Sequence, residues 1–172
     1  MSTLTGRTVL EHGGRVADLL ECLIQISALR ETPTRLLMLV RAFSQERWTA
    51  RQAEGSWAPV DSVAYLAELE TEWSLRLQLV LEADRPRFEA IDEAGLAQSV
   101  LGLGRDPAAA IARFRSRRLA NLERLERCSA ADLARAALIP PRGKTTVADL
   151  VAMMLANDVE HVGRIRRGLE IL

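Results

Sequence analysis

Residues able to do chemistry are few in this chain, so their spacing is informative. It has two histidines, His12 and His161, two cysteines, Cys22 and Cys128, and a single tyrosine, Tyr65. His161 closes the run Asn157-Asp158-Val159-Glu160-His161 within a strongly helical segment. Asn157 lies four residues before it and Arg164 three after it, so all three can share one helix face. An amide, an imidazole and a guanidinium on one face can hydrogen-bond a polar molecule or hold an anion. Arg164 can equally snorkel to solvent or pair with Glu68 or Glu72, which share a face with Tyr65. The cysteines have no CxxC spacing and no base nearby in sequence. They read as reduced, buried or partly buried thiols of a cytoplasmic protein, not as nucleophiles. His12 has no motif spacing.

Helices must position these groups. From Arg15, the residues Val16, Leu19, Leu20, Leu23 and Ile24 recur at helical spacing, after an irregular arm over residues 1–14 that ends at Gly13-Gly14. Thr32-Pro33 reads as an N-cap and first helical residue, so this element is expected to break or kink near residue 32. A second helix is expected from Pro59 through Trp73 to about Leu81, where Asp61 suits the positive helix end. Residues 84 to 105 form a long connection with one short helix at Glu93 to Val100. Asp106-Pro107 opens a third helix, Ser129-x-x-Asp132 marks a short extra turn, and Pro140-Pro141-Arg142-Gly143 is a breaker. Thr146-x-x-Asp149 caps the last helix, with a stripe of Val147, Leu150, Met154, His161, Ile165 and Leu169. No strand alternation stands out. The expectation is an all-α four-helix bundle with a long crossover loop and short additional helices, one domain over residues 15–172.

Composition narrows the function classes. With 48% hydrophobic and 27% charged residues, the chain can bury an ordinary globular core. Lys and Arg total 23, as do Asp and Glu, so no global field recruits nucleic acid or an anionic membrane. The basic runs Arg113-Phe114-Arg115-Ser116-Arg117-Arg118 and Arg164-Ile165-Arg166-Arg167 fall in helical pattern and read as solvated or salt-bridged faces. The N-terminus lacks the apolar run of a signal peptide, and charges interrupt every apolar stretch before membrane-spanning length. Trp57, Trp73, Met153 and Met154 read as core residues.

Two stretches resemble the signatures of the DinB-like superfamily, also called the YfiT-like metalloenzymes. The first family motif is Trp-Ser-x-x-Glu followed by His-Leu. Here Trp57 matches, Ala58 and Asp61 replace Ser and Glu, Tyr65-Leu66 stands at His-Leu, and Glu70 falls where an acid is frequent. The second is Pro-x-x-Gly-x-x-Thr-x-x-x-Leu leading to His-Asp-x-x-His and Gln-Ile. Pro140, Gly143, Thr146, Leu150, Asp158 and His161 match, Asn157 replaces the first His, and Arg164-Ile165 stands for Gln-Ile. Asp106-Pro107, Phe114 and Arg118 resemble the family's third helix.

The resemblance implies the fold and a divalent metal, such as nickel, zinc or iron, held by three histidines. It also implies small-molecule chemistry such as S-transfer of low-molecular-weight thiols or maleylpyruvate isomerisation. The corresponding positions here are Tyr65, Asn157 and His161. Tyr ligates poorly unless deprotonated, against a reference pKa near 10, Asn is a weak neutral donor, and one imidazole holds a metal only weakly. The expectation is therefore a vestigial metal site with no resident cofactor and no catalytic residue. Tyr65, Asn157 and His161, with Arg164 outermost, then form either a satisfied polar cluster, in which the Tyr65 hydroxyl bonds Asn157 or His161, or a pocket for a small polar or anionic molecule. The alternatives are a metal-dependent thiol S-transferase with nickel or zinc held through His161, and a homodimeric interaction module without ligand.

Overall fold

A computed structural model describes residues 5–53, 55–101 and 105–170, with side chains from residue 18 onward, and among these described residues it shows seven helices and one hairpin. The helices are α1 (Thr5–Ala42), α2 (Gln45–Thr49), α3 (Pro59–Glu82), α4 (Glu93–Val100), α5 (Pro107–Glu126), α6 (Ala130–Leu133) and α7 (Val147–Glu170). The long helices α1, α3, α5 and α7 form the four-helix bundle. α1 and α3 each pack against α5 and α7, so α1 faces α3 across one diagonal and α5 faces α7 across the other.

Local signals explain most boundaries. Asp106 accepts from the Ala108 and Ala109 N–H groups at the start of α5, as an N-cap should. Thr146 and Asp149 cap α7 reciprocally, and Ser129 and Asp132 do the same for α6. At α3, Ala58 has no side-chain acceptor, and only the returning half of that arrangement exists: Asp61 Oδ2 accepts from the Ala58 N–H at 2.9 Å.

Three expectations need correction. The arm expected to be irregular over residues 1–14 is helical from Thr5, and residues 1–4 lie outside the described residues. Strands were not expected, yet Ala136–Ile139 (β1) and Gly143–Thr146 (β2) pair antiparallel, Ala136 opposite Thr146 and Ile139 opposite Gly143. Gly143 adopts φ +87°, a value glycine takes without steric penalty, where the chain turns into β2. Finally, of the break or kink expected near residue 32, the break does not occur: α1 runs through Pro33. Proline lacks the N–H that would bond the carbonyl four residues back, at Leu29. That carbonyl instead accepts from Arg118 Nη1 at 3.1 Å, so the missing helical bond is replaced from α5.

Arg118 also divides the core. One apolar cluster includes Leu29, Trp73, Leu122 and Met154; the other includes Leu36, Leu66, Phe114 and Ile165. Between them lies a buried polar layer drawn from all four long helices. Arg118 donates to Asp158 Oδ2 at 2.6 Å, Asp158 Oδ1 at 2.8 Å and Glu70 Oε1 at 2.7 Å. Thr32 donates to Asp158 Oδ2 at 2.6 Å, and Asn121 donates to Glu70 Oε2 at 2.9 Å. Burial works against the guanidinium charge, but the bonds and charges of Asp158 and Glu70 outweigh it and raise the Arg118 pKa. Removing the cation leaves two carboxylates buried without it, a loss of about 3–5 kcal/mol. Arg118→Met should lower the urea-unfolding free energy by that order, whereas adding Glu70→Gln and Asp158→Asn should recover much of it.

Candidate functional site

Tyr65 lies on α3, and His161 projects from α7 in the same region of the bundle. Both are buried. Their rings stack at 4.7 Å between centroids and 26° between planes. Trp57, just before α3, closes the group: its ring lies 5.9 Å from His161 at 28° and 5.3 Å from Tyr65 at 53°. Arg164 covers the outside, its guanidinium carbon 5.3 Å from the Trp57 ring centroid. Trp73 is a buried core residue as expected, whereas Trp57 is only half-buried and belongs to the site. Asp61 helps set the approach to α3, since its carboxylate holds both the Ala58 N–H and Arg51 at 3.0 Å.

The polar contacts differ from those expected. Asn157 turns back along its own helix, donating to the Met153 carbonyl at 3.0 Å. Among the described residues, no hydrogen bond joins Tyr65 to Asn157 or His161. Arg164 pairs with Glu160 at 2.8 Å and not with Glu68 or Glu72, which are occupied by Arg117 at 2.9 Å and Arg76 at 2.6 Å. His161 Nδ1 is buried with no partner. Asp158, three residues earlier, faces the Arg118 layer. The side chain of His12 lies outside the described ones.

Electrostatics keep the site's own rings uncharged. Burial, helped by the nearby Arg164 charge, pushes the His161 pKa down to about 4 against partial opposition from Glu160 and Asp158. Burial and the carboxylates of Glu93 and Glu160 push Tyr65 up to about 12, with Arg164 opposing. A neutral phenol and a neutral imidazole make poor general acids at neutral pH. Cys22 and Cys128 are free thiols whose pKa values are also raised by burial.

A family model of the DinB superfamily matches residues 28–165. The chain belongs to the DinB superfamily. Among solved structures it is similar to YfiT from Bacillus subtilis, described as a probable metal-dependent hydrolase with an unusual four-helix bundle topology. That likeness has a TM-score of 0.73 at 17% identity, covering 86% of this chain and 85% of that one. At such identity it shows the fold. No curated protein matches the chain.

In this DinB-superfamily bundle, the divalent metal that the sequence resemblance implies would need several donors at the motif positions. Among the described residues, no three His, Cys, Asp or Glu side chains stand close enough to hold an ion. The donors at the motif positions are a phenol with a raised pKa, an amide engaged with its own helix and one imidazole between two rings. This set does not fit a three-imidazole centre.

The His161 environment has a measurable consequence. Its pKa is about 4 when folded, against an ordinary 6.5. The unfolded chain therefore takes up the proton first as pH falls. This contribution to stability is complete above about pH 6.5 and declines toward pH 4, by at most about 3 kcal/mol. Urea unfolding at pH 7.5 and pH 5 should show a smaller pH loss in His161→Leu than in the native chain. An imidazole titration midpoint near the ordinary value, read by NMR, would contradict the assignment.

Proposed function

We propose that this DinB-superfamily protein works without a metal and without a catalytic residue, either binding a small polar or anionic molecule at Tyr65, Asn157, His161 and Arg164 or acting as a stress-related accessory protein; the site favours the binding role. The observation carrying this reading is the buried, unpartnered His161 Nδ1 beside the Arg164 cation. An unmade hydrogen bond in that setting costs about 1–3 kcal/mol, and a ligand atom at Nδ1 would supply it. Arg164, exposed and only singly paired, would take the charge, while the half-buried Trp57 ring offers an apolar surface.

The description of YfiT as a probable metal-dependent hydrolase raises the competing reading, metal-dependent chemistry here too, whether hydrolysis or the thiol S-transfer implied by the resemblance. It requires nickel or zinc to be held through His161 with Tyr65 and Asn157 as partners, and their donor chemistry speaks against that. A separate observation supports pairing of two copies. α1 exposes Leu20, Leu23 and Ile24 to 55%, 51% and 69%, an apolar face suited to a homodimer. Reduced thiols support a cytoplasmic setting, and balanced charge supports a role apart from nucleic acid. No described helix is long and apolar enough to cross a membrane.

Titration with maleate, a small dianion, should raise Tm and shift the His161 Nδ1 resonance along one saturation curve, and Arg164→Gln should weaken both. If maleate, inorganic phosphate and glutathione all leave Tm and that resonance unmoved, the ligand-free interaction module becomes the better reading.

A further inference from the structure

A cavity of about 520 Å³ lies between the end of α3 and the β1–β2 hairpin. From Tyr65 to Ala83 is about 27 Å along α3 at 1.5 Å per residue, so this cavity is remote from the His161 cluster. Arg85, Arg135 and Lys144 line it, with Asp84 the only acid among the lining residues. Arg135 is fixed by bonds from Nε to the Val80 carbonyl and from Nη2 to the Ala83 carbonyl, both 2.8 Å. Among the described residues, Arg85 and Lys144 have no ion pair. Leu138, 42% exposed, is among the lining residues.

Two backbone features add to the charge. Leu138 exchanges bonds with the Pro86–Phe88 segment, its N–H donating to the Pro86 carbonyl and its carbonyl accepting from the Phe88 N–H. By the alternation of an antiparallel ladder, the Ala136 N–H points to that same edge, away from β2. Arg85 itself has φ +49°, a left-handed conformation uncommon for residues other than glycine. A guanidinium is thus carried at a position whose backbone favours glycine.

We propose that this cleft binds a small organic anion, a carboxylate or phosphate ester with a compact apolar body. Arg85, Lys144 and the Ala136 N–H hold the anionic group, Arg135 contributes fixed positive charge, and Leu138 packs against the body. The site is separate from the His161 cluster and does not depend on its role.

Phenyl phosphate is the probe, followed by amide NMR on the whole chain, with benzyl alcohol as the uncharged counterpart. Saturable shifts centred on Arg85, Ala136, Leu138 and Lys144 are expected, with benzyl alcohol producing none. Arg85→Gly and Lys144→Gln should each weaken binding by about tenfold. Arg85→Gly should leave Tm unchanged or raise it, because glycine suits that backbone, which separates lost binding from lost structure. Shifts that never saturate, benzyl alcohol binding as well as the phosphate, or affinity unchanged by both substitutions would overturn the proposal. Competing inorganic phosphate tells whether the anionic group alone suffices: displacement assigns recognition to the anion, whereas its failure while phenyl phosphate still saturates assigns it to anion and ring together.

Discussion

The guanidinium of Arg118 is the constraint on which the rest of the bundle depends. It sits between two apolar clusters and bonds the Leu29 carbonyl on α1, Glu70 on α3 and Asp158 on α7. Apolar contact is non-directional and tolerates substitution and repacking. A buried cation between two carboxylates does not, since a misplaced partner leaves an uncompensated charge in a medium of low dielectric. The layer therefore sets the heights and rotations of the four long helices relative to one another. It also accounts for Pro33, whose missing N–H leaves Leu29 with a free carbonyl that Arg118 uses.

That constraint reaches the candidate site through α7. Asp158 and His161 are three residues apart, about 60° around the helix. Fixing Asp158 against Arg118 thus turns His161 toward α3, where Tyr65 and Trp57 enclose it. The same burial that makes the stack compact keeps the imidazole neutral, with a pKa of about 4. Such a ring donates one hydrogen bond and accepts one, and it stays uncharged near neutral pH. That neutrality supports the recognition role proposed for the site, and the nearby positive charge comes from Arg164 at the rim.

Much of this was legible in the sequence where it depended on local chemistry. The acid caps at Asp106 and Asp149, the short helix over Glu93–Val100 and the start at Pro59 follow from neighbours within four residues. The bundle followed from the helical pattern and its caps, and the meeting of Tyr65 with His161 from the resemblance to the DinB-like family. What escaped was settled over longer distances. Arg118 stands on the stripe Ile111, Phe114, Leu122 and Leu125, and a charged residue on an apolar stripe signals a buried partner. Its partners lie 48 and 40 residues away, at Glu70 and Asp158, and no local pattern names them. Thr32-Pro33 carried the signature of a helix start because the donor that rescues Leu29 comes from α5. The strands were hidden by their brevity: Ala136–Ile139 is apolar throughout, and its pairing depends on a turn that reads equally well as a simple breaker. Trp57 was expected in the core because a large ring gains most from burial, and it does pack against the core cluster, but partly exposed and in contact with His161 and Arg164.

Metal retention is the most direct test of the account. Untagged protein, incubated with nickel, zinc, manganese and iron and then desalted, should retain far less than one equivalent of any of them by mass spectrometry while remaining folded and helical. Retention of close to one equivalent of a single metal, lost in His161→Ala, would contradict the account and make metal-dependent chemistry the working reading of the site.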